Sequence, residues 1–293
     1  MFMKLIDHIG LAARSIDNRI LDLIQDVQVL SFNQAIRSKD SLHNTIVIGD
    51  DTSLSEIFLY LDKLGLSYLV QKTHEYYLYN LLMNAMIQKY PDMFLRSPMT
   101  LITKNRDFGI NNIVIPFNST TDKPRVVEEA DKFVSLNSTN SSIRQNIHVI
   151  ISELFSNSMY SAPTDENGSY LFANHPRNKE VIYPNNLKGE ILLSFNKEIF
   201  AVACRDPFGS VNKVRVTKRL HQVFDDGKLA AVEHADDQNL GSGLGLKLVI
   251  ENSIGFGMVV KQGKETFVYA TLPVGSGNRK ISRISKNICF KFY

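Results

Sequence analysis

Short β-branched runs alternate with stretches of helical period in the N-terminal third of the chain. Val27-Gln28-Val29-Leu30 and Thr45-Ile46-Val47-Ile48 are compact apolar runs bounded by polar residues or glycine, as buried strands are. Leu54, Ile57, Phe58, Leu61 and Leu64 recur at helical spacing, and Ser53 with Glu56 predicts the N-cap and Gly65 the stop. Residues 67–70 read as the next strand, 76–90 as a helix closed by Pro91, and 99–103 as one more strand. This alternation predicts a small parallel sheet.

The pattern changes after the polar stretch 104–112. Residues 113–117 are a strand whose Pro116 places it at a sheet edge or a strand end. A turn at 118–123 leads to Pro124, which suits the first position of a helix ending at Leu136. The polar loop 137–142 caps a strongly apolar helix at 143–160, stopped by Ala162-Pro163. Residues 164–188 are a long polar loop without periodicity, and 190–195 with 199–204 form a hairpin. An irregular charged stretch reaches Leu240, a glycine run opens a helix at about 246–253, and strands 258–261 and 266–272 make a second hairpin. No internal repeat is present. Residues 276–293 carry Arg279, Lys280, Arg283, Lys286 and Lys291 and no acid. They read as a solvated basic tail, with an acidic partner, nucleic acid or a membrane surface as alternative uses.

Length and composition narrow the class. At about 150 residues per domain, the 293 residues predict two domains, which the change of pattern places at 1–107 and 108–275, with the tail at 276–293. The 44% apolar and 22% charged residues exclude wholesale disorder. No apolar run is long enough to span a membrane, and Asp7 interrupts what would be the apolar part of a signal peptide. Cys204 and Cys289 are the two cysteines and form no Cys-x-x-Cys pair, which argues against a disulfide framework or structural zinc and for the cytoplasm. A net charge of +3 is too small to call for nucleic acid.

Three spaced elements carry candidate chemistry. Glu153 and Asn157 are four apart on the apolar helix and so share a face, among Ile150, Ile151, Leu154 and Phe155. An amide oxygen is a hard ligand suited to magnesium, and a carboxylate one turn away can orient or deprotonate an attacking hydroxyl or water. The same pair also occurs at a solvated helix edge. Asp206-Pro207-Phe208-Gly209 ends a predicted strand: its carboxylate can accept from an exocyclic amine such as that of adenine, and an ordinary turn is the other reading. The third element is Gly241-Ser242-Gly243-Leu244-Gly245-Leu246-Lys247, leading into a helix. Alternating glycines turn backbone amides toward an anion, and the helix N-terminus adds partial positive charge. Leu246 stands where a dinucleotide fingerprint needs glycine, and Leu248 stands where a P-loop needs Ser or Thr.

In this order, the three elements resemble the Bergerat ATP-binding fold of histidine kinases, type II topoisomerases, mismatch-repair ATPases, the ninety-kilodalton heat-shock chaperone and anti-sigma-factor serine kinases. The resemblance covers roughly residues 110–274. It implies an α/β sandwich, a mixed sheet with helices on one face, that binds ATP and Mg2+. Within it Glu153 is the base, Asn157 the magnesium ligand and Asp206 the adenine-binding carboxylate, with Gly209 beside it. Gly241, Gly243, Leu244 and Gly245 form the phosphate loop, Thr266 lies near the nucleotide, and 210–240 is the mobile lid. The sequence departs from the pattern at Phe208, where a glycine is usual, at Tyr160, where sensor kinases carry a basic residue, and in the length of 164–188. No histidine matches a phosphorylated dimerisation helix, and the entry through a strand, a turn and a helix is similar to the anti-sigma-factor kinases. That implies an ATP-dependent Ser/Thr kinase or ATPase acting on a partner protein, with a homodimer left open. The alternative is a nucleotide-gated scaffold with little turnover. The N-terminal half is similar to a response-regulator receiver lacking its fifth helix, which implies a degenerate receiver, with an unrelated α/β sensor module and an active phosphoacceptor as the alternatives. Asp50 or Asp51 would be its phosphoacceptor, with Asp7, Thr73 and Lys104 ending other strands.

Overall fold

The computed structural model describes residues 3–5, 7, 21–22, 24–38, 42, 44–49, 52–72, 76–96, 111–172, 175–196, 198–225, 243–274, 281 and 286–293. Its strands are β1 (Met3–Lys4), β2 (Gln28–Ser31), β3 (Thr45–Gly49), β4 (Tyr68–Gln71), β5 (Asn111–Phe117), β6 (Gly189–Phe195), β7 (Ile199–Asp206), β8 (Gly255–Lys261), β9 (Glu265–Pro273) and β10 (Asn287–Phe292). They join one mixed sheet in the order β1-β2-β3-β4-β10-β8-β9-β7-β6-β5. The helices are α1 (Phe32–Arg37), α2 (Leu54–Lys63), α3 (Tyr77–Lys89), α4 (Pro91–Arg96), α5 (Lys123–Asn137), α6 (Ser141–Ser161), α7 (Lys213–Asp225) and α8 (Leu244–Glu251). The chain is thus α/β. Among the described residues no helix is long and apolar enough to cross a membrane.

Local chemistry sets the element ends. The Ser53 hydroxyl accepts from the Glu56 amide while Glu56 accepts in return from Ser53, the reciprocal box expected at the start of α2. Asn140 caps α6 by accepting from the amides of Ser142 and Ile143. Pro124 sits in the first turn of α5, where its missing N–H leaves no bond unmade. Pro116 lies in β5, the terminal strand of the sheet, as its inability to donate requires.

Three expectations change, and others fall on residues that are not described. The predicted strand at 99–103 and the positions Lys104, Thr73, Asp50, Asp51 and Gly241 lie outside the described residues. Residues 213–225, expected to be irregular lid, form α7. Val216, Leu220 and Val223 of α7 are buried at helical spacing, a period that the interleaved charges conceal in the sequence. In the N-terminal half β2, β3 and β4 are parallel neighbours in that order, with β1 antiparallel to β2. This differs from the 2-1-3-4-5 order of doubly wound receiver-type sheets, so the likeness there lies in strand–helix alternation and not in strand order. The solvated basic tail is corrected most plainly, because residues 287–292 are a central strand. β10 is parallel to β8 and antiparallel to β4, with Ile288, Cys289 and Phe290 fully buried. Four cations before it and Lys291 within it hide a short apolar run. Buried Lys286 is absorbed because its Nζ donates to the carbonyls of Ser253 at 2.5 Å, Ile281 at 2.8 Å and Glu251 at 3.3 Å.

Two apolar layers cover the sheet. Helices α2, α5, α6, α7 and α8 pack on one face, with Phe58, Val126, Ile150, Phe155, Leu220 and Val249 among the buried contacts. The other face is covered by α3 and α4 of the N-terminal half, where Phe94 packs edge-on at 5.6 Å from Phe267 of β9. The helices on one face that the sandwich implies therefore hold for the second half's own helices, and the first half supplies the reverse cover. Strands from both sides of the expected boundary at 107 meet through β10.

Candidate functional site

Helix α6 lies over the sheet with its apolar side down, which leaves Glu153 and Asn157 half-buried along one edge. Helix α8 approaches that edge end-on, capped by Gly243. The approach is close enough that a Cβ on Gly245 would fall 2.2 Å from Glu153 Oε2 and 3.9 Å from Asn157 Nδ2. A side chain there would displace the Glu153 carboxylate. Between α6, α8, α7 and the ends of β7 and β9 is a cavity of about 820 Å3, within the size range of small-molecule sites. Glu153, Asn157, Asp206, Gly243, Gly245 and Thr266 all line it. Residues from four segments spread over the second half of the sequence thus face one space.

Asp206 ends β7, paired in register with Thr266 on β9. It is only 5% exposed, and its Oδ1 accepts from the Phe208 amide at 3.0 Å. Loss of hydration pushes its pKa up to about 7, an effect that the Phe208 amide and the nearby Thr266 hydroxyl partly offset. Thr266 Oγ1 is itself buried and makes no full hydrogen bond among the described residues. A buried carboxylate beside an unsatisfied hydroxyl is costly in isolation and calls for a polar guest.

Two predicted positions fall elsewhere. Gly209 is absent from the cavity lining and passes beneath the β8–β9 turn at φ +58°, where a Cβ would meet Lys261 O at 2.2 Å and Lys264 N at 2.6 Å. Its carbonyl accepts from the Gly263 amide at 3.0 Å. It needs to be glycine for that crossing. Leu244 opens α8 and does not line the cavity, whereas Leu246 does.

The sequence reading also missed part of the wall. Arg219 and Leu220 come from α7, whose helical period went unread, and a Cβ on Gly243 would lie 3.0 Å from Arg219 Cγ. The aperiodic segment 164–188 supplies Tyr170, Arg177 and Lys179, for which no sequence signal exists. That loop is tied down by side-chain bonds. Tyr183 OH and Ser158 Oγ are 2.5 Å apart, Thr120 Oγ1 accepts from the Val181 amide at 3.0 Å, and Glu180 accepts from Ser119 Oγ at 2.6 Å.

The donor set suits a magnesium nucleotide. The cavity offers an acceptor at its buried end, an amide and a carboxylate on α6, and the N-terminal end of α8. Among the described residues there is no cluster of three or more His, Cys, Asp or Glu able to hold a metal ion unaided. Magnesium commonly takes one or two protein ligands and completes its shell with phosphate and water oxygens, and a lone amide oxygen matches that habit. Comparison with protein-family models and with curated proteins finds no match to this chain.

Proposed function

We propose that the cavity binds Mg-ATP and that the protein is an ATP-dependent regulator of a partner protein, of the anti-sigma-kinase type. One observation carries this above the others: Glu153, Asn157, Asp206, Thr266 and the Gly243–Gly245 turn line the same cavity. Asp206 would accept from the exocyclic amine of adenine, with the Thr266 hydroxyl as a second contact. Asn157 would hold the magnesium ion, and the amides opening α8 would hold phosphate oxygens. Bound magnesium and the phosphate loop supply charge neutralisation for phosphoryl transfer. Glu153 would orient the attacking hydroxyl of a partner's Ser or Thr, or a water, and hold its proton.

A nucleotide-gated scaffold without turnover is the second reading, favoured by the seating of α7. That helix lines the cavity on one side and packs on α2 of the N-terminal half on the other, with Phe224 stacked 5.2 Å from Phe58 and Ser55 Oγ donating to Asp225 Oδ1 at 3.1 Å. Calorimetry of ATP and ADP with and without magnesium tests the common part. Asn157→Ala is expected to lose mainly the magnesium-dependent affinity, and absence of binding by the intact chain would end both readings. Glu153→Ala then separates them. Partner regulation that survives while nucleotide still binds favours the scaffold, and its loss favours the kinase.

A further inference from the structure

We propose that Arg177, delivered by the 164–188 loop, is a phosphate-binding residue of this cavity; the inference rests on the nucleotide reading above. Its guanidinium carbon lies 3.8 Å from the centroid of the Tyr160 ring. Tyr160 follows Asn157 by three residues, so the two lie on one side of α6, and both line the cavity together with Arg177. The same tyrosine fixes the loop backbone, its hydroxyl donating to the Arg177 carbonyl at 3.4 Å. Stacking occupies the flat face of the guanidinium and leaves its N–H edge for an anion. Among the described residues no carboxylate forms an ion pair with it.

The charge pattern of the cavity favours cations in its lining, where Lys123, Lys179 and Arg219 stand beside Arg177. Asp206 and Glu153 are acids, and a nucleotide brings further negative charge. Lys247, the lysine that follows the glycines, is turned away: its Nζ donates to the Val223 carbonyl at 3.2 Å and lies 5.2 Å from the Phe224 ring centroid. Lys123 is directed to Ser156 Oγ at 3.4 Å. Arg177 is the cation whose planar fork is oriented by a ring platform one turn from Asn157, an arrangement that suits the paired oxygens of a phosphate. Its side chain is exposed, so replacing it leaves the core intact.

Calorimetry of the full chain with Mg-ATP and with adenosine tests the assignment. Arg177→Ala is expected to weaken ATP by roughly tenfold and to leave adenosine unchanged. It should also flatten the salt dependence of ATP binding. Arg177→Lys keeps the charge without the fork and should fall between the two, while Tyr160→Phe keeps the platform and should retain ATP affinity. Wild-type ATP affinity in Arg177→Ala would overturn the proposal, as would a parallel loss of ATP and adenosine, which marks a merely structural loop residue. If the wild-type chain binds neither ligand, the nucleotide reading falls and takes this inference with it. If wild type binds ATP more tightly than adenosine and Arg177→Ala leaves that difference unchanged, the nucleotide reading stands and this inference alone fails.

Discussion

Replacing Asp206 by asparagine probes the buried end of the cavity through protons as well as through ligand. Burial raises the folded-state pKa of Asp206 from an ordinary 3.8 to about 7. That shift corresponds to about 4 kcal/mol favouring the neutral acid in the folded protein. The sign follows from proton linkage. The unfolded chain loses this proton near pH 3.8 and the folded chain near 7, so the folded state binds more protons in between. Stability from this group is fully present below the lower value and is lost as pH rises through the upper one. A carboxamide at this position does not titrate, so Asp206→Asn should gain on wild type by about 4 kcal/mol between roughly pH 4 and pH 8. Urea unfolding of both proteins across that range measures the difference, in which other titrating groups cancel. A base amine that donates to Asp206 favours the ionised form, so nucleotide binding near pH 6 should release a proton. Calorimetry in two buffers of unequal ionisation enthalpy reads that release. A pH-independent difference between the two proteins, or proton uptake on binding, would refute the placement of a dehydrated carboxyl at the proposed base site.

Two glycines should respond in opposite ways to Ala. Gly245→Ala meets the end of a flexible Glu153 side chain at 2.2 Å, so the protein should fold while nucleotide binding falls by roughly tenfold or more by calorimetry. Gly209→Ala meets backbone atoms at a positive φ, so it should cost about 2 kcal/mol or more in urea unfolding. Phe290→Ala removes a fully buried ring from the central strand β10 and should cost about 3–5 kcal/mol; a loss below about 1 kcal/mol would show that β10 does not hold the two halves together.

Where one stretch of chain sets its own conformation, the sequence was legible. The Ser53–Glu56 box, a cap within the loop 137–142, Pro124 and the edge proline Pro116 each act within a few residues, and each appears where the pattern placed it. The same holds for the Glu153–Asn157 face, since helical spacing alone aligns two side chains four apart. The strand order of the N-terminal half was not legible, because neighbours in a sheet are chosen by pairing and burial, not by local period.

Residue order alone specifies most element types, the two hairpins and the residue kinds of the proposed nucleotide site. Packing settles which of them share a space. It drew the cation-flanked residues 287–292 into the middle of the sheet, set Arg177 on Tyr160, and assigned Gly209 to a backbone crossing while Gly245 took the close contact with Glu153. Caps and periods are energies between neighbours in the chain. A cavity is made by surfaces from distant segments, whose burial is settled only when the whole sheet closes.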